Sequence, residues 1–535
     1  MKRVPYLSAL ALKTILAVGL LLYLNLSAVA QENVLFIIAD DLGVDYTERY
    51  QEGSDFPETP TINALAQDGI LFRNAWANPV CSPTRATMLT GQYGFRTGIG
   101  TVVGSSSRNT AGISVDTYTL PKALNDANSG YAHACVGKWH LNDETNGDED
   151  NPNLMGFDYF AGLTGGDGRL SYYDWQKTVN GTVTEVDNYM ATENVDDAIT
   201  WIDQQEGPWF HWLAFFNPHT PFHKPPNDLH SYDDLSGDRR DTRQNPVPYF
   251  KAAVEAMDTE MGRLIQYLKE TGQYENTTIV YLGDNGTTSQ VVQPPFDADQ
   301  AKGTLYEGGV NVPFIVAGAA VDAPNRESTA LVSAVDLFAT GLELMGVDVA
   351  NTIPSGTTID SRSLVPIIKN QASDVRDWAF TELFGLNEAA DGKAIRDRQY
   401  KLIRFDSGTE ELYQLEVDPF ETNNLLAQTL SSEAQSHYDS LTRQLDELLG
   451  TPSSSSTPTV ELYPNPSGNV VTVTVDNAPS VPYSYAVKGR FGITRLRGEA
   501  QGEQVAIDLS SLQSGIYYLE LMLPSGTVAV RMMKK

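Results

Sequence analysis

The sequence predicts an α/β protein: a large, mostly parallel sheet sandwiched by helices, then a smaller α+β subdomain and a separate C-terminal β-sandwich. Three observations carry this. Apolar runs of strand length at 34–39, 132–136, 209–216 and 278–282 are what strands buried on both faces require. Segments of helical period lie between them, as parallel crossovers demand. Beyond Gly450 the pattern turns alternating and rich in turn residues, the mark of a different architecture.

At 535 residues the chain is too long for one ordinary core and implies two or three domains. Residues 1–30 read as a secretory signal peptide, because Lys2, Arg3 and Lys13 precede the apolar run 15–26, and Ala28 and Ala30 form an A-x-A cleavage pattern. No later stretch is apolar enough to span a bilayer. The formal net charge is −31, and −34 without the leader, which makes nucleic acid an unsuitable partner. It also obliges any anion site to build its own positive field. The two cysteines, Cys81 and Cys135, admit one disulfide in an exported chain; Cys135 sits in an apolar run, where a free thiol behaves as a small hydrophobe.

The first strand, 34–39, ends abruptly in Asp40 and Asp41. Two adjacent carboxylates at the carboxyl end of a buried strand are costly unless cations pair with them, and that end of an open α/β sheet is where ligands bind. Capping of a turn by DDLG accounts for one of them. Residues 59–72 read as a helix closed by Gly69 and returning to a strand. CSPTRATMLTG follows at 81–91, with Pro83 and Arg85 near a helix start that favours anions. Gly98, Gly100 and Gly104 are out of register for a dinucleotide fingerprint, and no strand precedes them.

The strand 132–136 leads into GKWHL, placing Lys138 and His140 beyond its end; the strand 209–216 leads into NPHTPFH, placing His219 and His223 likewise. Between them, 163–189 is rich in Gly, Tyr and Asp and reads as long loops over the sheet, with Tyr172, Tyr173 and Trp175 as candidates to stack on a sugar or to anchor the loop. Val254, Met257, Met261, Leu264, Ile265 and Leu268 recur at helical spacing, a core stripe. The strand 278–282 ends in Gly283, Asp284, Asn285 and Gly286, and Lys302 follows in a glycine-rich loop. Residues 331–345 read as helix, 394–404 and 411–415 as strands, and 433–449 as an amphipathic helix stopped by Gly450. The expected divisions are 31–370 for the catalytic domain, 371–450 for its subdomain, 451–458 (TPSSSSTP) for a linker and 459–535 for the β domain.

In a parallel sheet these strand ends converge. Asp40, Asp41, Asp284 and Asn285 form a hard oxygen set suited to Ca²⁺ or, second, Mg²⁺. Arg85, Lys138, Lys302 and the histidines complete a site for a tetrahedral oxyanion and for charge developing as an ester breaks. That describes a metal-assisted hydrolase of sulfate or phosphate esters. Cys81 does not fit it as an ordinary thiol.

CSPTRATMLTG resembles the C-x-P-x-R signature of the formylglycine-dependent sulfatases, with their Thr-Gly pair at Thr90 and Gly91. ADD at Asp40 and Asp41, GKWHL at 137–141, PHTP at 218–221, GDNG at 283–286 and KGTLYEGG at 302–309 fall in that family's order, across about residues 33–428. The resemblance implies an alkaline phosphatase-like fold, and a maturation enzyme that converts Cys81 to formylglycine. The hydrated aldehyde then supplies an oxygen nucleophile and a metal ligand; one hydroxyl attacks sulfur, and the other loses its proton to expel sulfate. It implies Ca²⁺ held by Asp40, Asp41, Asp284, Asn285 and residue 81. Arg85 and His140 hold and activate the diol, and Lys138, His219 and Lys302 bind sulfate, with His219 or Lys302 assisting the leaving oxygen. Two departures stand out: Asn311 where many relatives carry Arg, and Gly283 where a Ser is common.

ELYPNPSGNVVTVTV at 461–475, SGIYYLEL at 514–521 and the Lys534–Lys535 end resemble the type IX secretion sorting domain of Bacteroidetes; a carbohydrate-binding sandwich is the alternative. The sorting reading implies passage through the periplasm to the cell surface or medium. The expected substrate is a sulfated carbohydrate or aryl sulfate. A phosphate or phosphonate ester hydrolase on the same scaffold, and an inactive surface carbohydrate-binding protein, are the competing readings.

Overall fold

β1 (Asn33–Ala39) runs through the middle of a ten-stranded sheet and has no exposed apolar side chain. The computed structural model describes residues 31–104, 111–166, 171–387, 389–450, 460–475, 483–489, 494–523 and 526–535. The expected leader, 1–30, and linker, 451–458, lie outside them. By their contacts the residues form two units, one extending to Asn424 and one beginning at Leu425.

In the first unit, β2 (Gly69–Trp76), β3 (Ala132–Lys138), β4 (Tyr159–Leu163), β5 (Trp175–Val179), β6 (Thr182–Val186), β7 (Trp209–Ala214), β8 (Thr277–Gly283), β9 (Phe314–Gly318) and β10 (Arg326–Ser333) join β1 in the order β10-β2-β9-β8-β1-β7-β3-β4-β5-β6. β8, β1, β7, β3 and β4 pair in parallel, and only β9 and β5 run against the rest. The expected mostly parallel sheet is therefore present, and the ends of β1, β3, β7 and β8 share one edge.

Apolar clusters cover both faces, as parallel pairing requires. The helix Pro246–Glu270 presents Val254, Met257, Met261, Leu264 and Leu268 to one of them. From the same helix, Asp258 accepts hydrogen bonds from the backbone N–H groups of Thr61 (2.9 Å) and Ile62 (2.8 Å). It thereby satisfies the start of the helix Pro60–Gln67, whose own Thr59 makes no side-chain cap.

Three expectations are corrected. Residues 331–333 are not helical: they end β10, paired with Asn74, Ala75 and Trp76 of β2, and the helix is only Leu337–Leu344, entered through a Ser333–Asp336 capping box. Strand pairing overrides a helical pattern there. Residues 394–404 fall in two strands, Gly392–Arg396 and Tyr400–Phe405, because Asp397 accepts from the N–H groups of Gln399 (2.8 Å) and Tyr400 (2.7 Å) and turns the chain. Within 163–189, the hairpin β5–β6 extends the sheet where loops alone were expected; residues 167–170 lie outside the described ones.

β11 (Ala379–Leu383), β12 (Gly392–Arg396), β13 (Tyr400–Phe405) and β14 (Glu410–Gln414) make an antiparallel sheet in the first unit. In the second unit, the helix Ser432–Leu449 precedes β15 (Val460–Tyr463), β16 (Val470–Val475), β17 (Tyr483–Gly489), β18 (Thr494–Ala500), β19 (Gln504–Asp508), β20 (Gly515–Leu523) and β21 (Gly526–Lys534). They form two antiparallel sheets, β15-β16-β19 and β18-β17-β20-β21, with Val471, Val473, Ile507, Val487, Leu519 and Leu521 buried between them.

Candidate active site

The edge where β1, β3, β7 and β8 end gathers the ten residues singled out from the sequence. Asp40 is tied in place by its N–H to the carbonyl of Asn217 (3.1 Å), and Asp284 by its N–H to the carbonyl of Ala39 (3.0 Å), so the β1, β7 and β8 ends are stitched together. Asp41 turns into the left-handed region, φ +67°, a conformation Asp tolerates better than most residues. Its N–H donates to Oδ1 of Asp284 (3.2 Å).

Each carboxylate has a cation. Arg85 donates from Nε (3.1 Å) and Nη2 (2.7 Å) to Oδ2 of Asp284, and from Nη1 (2.8 Å) to the carbonyl of Lys138. Lys138 pairs with Oδ2 of Asp40, and Lys302 with Oδ1 of Asp41. Asn285 donates to Oδ1 of Asp41 (2.9 Å), and Nε2 of His219 lies 3.8 Å from Oδ2 of the same residue. Three cations thus face three carboxylates, and the formal charges cancel.

The helix Cys81–Thr90 starts at Cys81 and is buried along its whole length. It closes on Gly91, φ +68°, where a Cβ would come 2.7 Å from the Phe338 ring. Cys81 and Cys135 are both free, so the expected alternative of a disulfide is not realised. Sγ of Cys81 lies 3.3 Å from Nδ1 of His140. His140 has φ +63°, and its Nε2 is buried without a partner.

Burial dominates the electrostatics. It raises the Asp40 carboxyl to about 7, Lys138 opposing it and Asp284 and Asp41 adding to it. Burial also acts to raise Asp41, but Lys302 and His219 overcome it and hold that carboxyl well below the usual range. Burial raises the Cys81 thiol and lowers His219 to about 3; with Lys138 and Arg85 it holds His140 well below its ordinary value. Burial disfavours the Lys138 and Lys302 ammoniums, yet Asp40 and Asp41 respectively raise them.

Oδ1 of Asp40 and Oδ1 of Asn285 are buried with no hydrogen-bond partner. Ligand atoms of Asp40, Cys81 and Asp284 lie within 4.8 Å of one another, as do those of Asp40, Asp41 and His219. Orphaned hard oxygens beside three carboxylates fit a hard divalent cation, which would hold Asp40 ionised.

Ser82 and Gly166 were not foreseen as contributors. Ser82 Oγ donates to the carbonyl of His140 (2.9 Å) and accepts from the N–H of Val103 (3.1 Å). Of the two roles expected for Tyr172, the buried side chain takes the loop anchor: its hydroxyl reaches the carbonyls of Phe216 (2.9 Å) and His219 (2.6 Å), bracing the loop after β7. Trp175 is likewise buried, whereas Tyr173 is 40% exposed. A Cβ on Gly166 would meet His140 Nε2 at 2.0 Å, so this glycine lets the backbone lie against the imidazole. His223 stands apart from the acids, stacked on Tyr172 at 3.8 Å. Asn311 is buried, its N–H bonded to the carbonyl of Glu307 (2.8 Å).

An open α/β sheet with helices on both faces and an acidic, cation-rimmed cluster at its strand ends defines an alkaline phosphatase-like protein. Within that class the chain belongs to the sulfatase family, whose pattern residues 32–347 match. Residues 299–450 match the C-terminal region of N-sulphoglucosamine sulphohydrolase, and residues 461–535 the secretion system C-terminal sorting domain. The chain is 25% identical over 408 residues to arylsulfatase J of Mus musculus, covering 71% of this chain and 65%, less than two thirds, of that protein. It is 25% identical over 500 residues to N-acetylglucosamine-6-O-sulfatase of Bacteroides thetaiotaomicron, covering 75% and 84%. Among solved structures, Ps i-CgsB superposes with a TM-score of 0.65 at 26% identity, over 78% of this chain and 92% of that one. The same protein in complex with k-i-k-neocarrahexaose gives 0.65 at 25% identity.

Proposed function

We propose that this protein is a sulfatase that hydrolyses a sulfate monoester on a sulfated carbohydrate, with formylglycine at position 81 and Ca²⁺ held by Asp40, Asp41, Asp284, Asn285 and residue 81. The observation that carries the reading is the Cys81 side chain, buried and unbridged, facing His140 and the Asp40 and Asp284 carboxylates. A thiol is a poor companion for a hard cation, whereas an oxygen at that position completes the donor set. Family membership and relatives named for sulfated sugars support the substrate class.

A Ca²⁺ held there would supply Lewis-acid catalysis, and a hydrated formyl group at position 81 would supply the oxygen nucleophile. The chain's own residues do the rest. Arg85 fixes Asp284 and the start of the helix behind residue 81. His140, kept neutral by its surroundings, holds a hydroxyl at position 81 through Nδ1 and accepts its proton. Lys138 and Lys302 hold the sulfate oxygens. His219 turns its Nδ1–H toward the Thr220 carbonyl (2.6 Å) and presents Nε2 to the substrate; Lys302, kept an ammonium by Asp41, protonates the leaving oxygen, a role open to His219 only as the imidazolium. Because the side-chain charges cancel, a dication makes the site net positive and able to take an anion despite the acidic chain.

The C-terminal match supports export through the type IX machinery, by way of the periplasm, to the surface or medium. No helix among the described residues is long and apolar enough to cross a membrane.

The test is Cys81→Ser expressed with a cysteine-specific maturation system. Turnover of an aryl sulfate should fall by about 10³-fold or more, and the wild-type peptide 78–85 should carry the aldehyde or its hydrate by mass spectrometry. Chelation should abolish turnover and Ca²⁺ restore it. Unchanged turnover in the serine variant, or preference for aryl phosphate over aryl sulfate, would overturn the reading.

A further inference from the structure

Beside His219 lies an open cavity of about 280 Å³ lined by Thr220, Pro221, Phe222, Arg239, Arg243 and Gln290. Thr220 follows His219 and takes its Nδ1 contact, so the wall of the cavity begins one residue from the site. Gln290 stands on the loop after β8, the strand that delivers Asp284 and Asn285. A second cavity of about 520 Å³ shares Arg239 and Arg243 with it and adds Asp238, Arg240 and Gln244.

Arg239 and Arg243 are four residues apart on the helix Arg239–Gln244, a spacing that puts both on one face. Among the described residues, none of the Arg239, Arg240 and Arg243 guanidiniums makes an ion pair or a side-chain hydrogen bond, although the chain carries a net charge of −31. The two nearest carboxylates in sequence are engaged elsewhere. Asp238 accepts from the N–H groups of Arg240 (2.7 Å) and Asp241 (3.4 Å), and Asp241 accepts from Tyr249, Ser236 and Asn245. Unpaired arginines on an acidic protein, lining a cavity next to the reaction centre, are anion receptors in search of a ligand.

We propose that this arginine-lined cavity is a substrate subsite that binds a second anionic group, a sulfate or a carboxylate, on a sugar neighbouring the one attacked. The substrate is then a polyanionic glycan chain rather than a singly sulfated sugar. The inference rests on the sulfatase reading and deepens it. Planar guanidinium forks match either anion in a bidentate fashion, and their field offsets the long-range repulsion of the acidic surface.

The experiment compares wild type with R239A/R243A, both exposed positions, on three oligosaccharides of equal length: monosulfated, disulfated, and monosulfated with a uronate. The ratio of kcat/KM on a doubly charged to the singly charged oligosaccharide should fall about tenfold or more in the variant, chiefly through KM. Loss on the disulfated substrate assigns the subsite to sulfate, and loss on the uronate assigns it to carboxylate. Both ratios unchanged within about twofold would overturn the proposal. Wild type is assayed on aryl sulfate in parallel; absence of all turnover sinks the sulfatase reading by itself. In that event calorimetric affinities of the two proteins for the disulfated oligosaccharide decide the subsite, equal values overturning it.

Discussion

Asp284 shows how much one side chain carries. Its Oδ1 receives the Asp41 N–H, its Oδ2 receives two donors from Arg85, and both it and Arg85 are fully buried. Removing the carboxylate strands a buried guanidinium, so Asp284→Ala should lower the unfolding free energy by about 3–5 kcal/mol as well as abolish turnover. Denaturant titration alongside the activity assay checks both. Glu382, in β11, is a different case: Oε1 accepts from the Phe95 N–H (2.7 Å), Oε2 is buried without a partner, and burial raises the carboxyl to about 7. Its folded-state value lies above the ordinary 4.5, so the folded state holds the extra proton between the two. Its contribution to stability therefore declines as pH rises from about 4.5 to about 7 and stays low above that. Glu382→Gln should remove up to about 3 kcal/mol of the difference in unfolding free energy between pH 5 and pH 8. An unchanged pH dependence in the glutamine variant would contradict this.

At the scale of elements, the site depends on how closely β3 approaches β7. Gly137 has φ +96°, and a Cβ there would stand 1.9 Å from the Ala214 carbonyl oxygen, so only glycine lets β3 lie against β7 and carry Lys138 to Asp40. Gly137→Ala should cost about 2 kcal/mol or more and reduce turnover in the folded fraction; Gly207→Ala, where a Cβ meets nothing within 4 Å, is the control. Denaturation midpoints of the two variants give the comparison. The strands that carry the site were legible because unbroken apolar runs mark them. β10 and the β5–β6 hairpin were not: 331–333 has an apolar spacing that suits a helix, and Thr182–Val186 is a largely exposed edge strand with no buried face to impose alternation.

For the molecule as a whole, the match to the sulphohydrolase C-terminal region stops at Gly450 and the match to the sorting domain begins at 461, on either side of the segment whose composition marks a linker. Truncation after Gly450 should retain aryl sulfate turnover within about twofold while the protein fails to leave the periplasm. Cell fractionation with an activity assay measures both, and loss of turnover with export intact would contradict the division of labour.

The sequence by itself determined the class of sheet, the carboxyl-terminal placement of Asp40, Asp41, Lys138, His140, His219, Asp284 and Asn285, and the anomaly of a thiol among hard donors. These follow from local facts: apolar run length, strand ends and residue chemistry. Only the tertiary structure decided which cation answers which carboxylate, that Cys81 and Cys135 stay unbridged, that Tyr172 braces the loop carrying His219, and that Arg239 and Arg243, unpaired among the described residues, line a cavity with Thr220. Each of those depends on which segments, tens to hundreds of residues apart, meet and which do not. Such contacts are fixed by burial and by the competition of every polar group for a partner, and no local pattern encodes that competition.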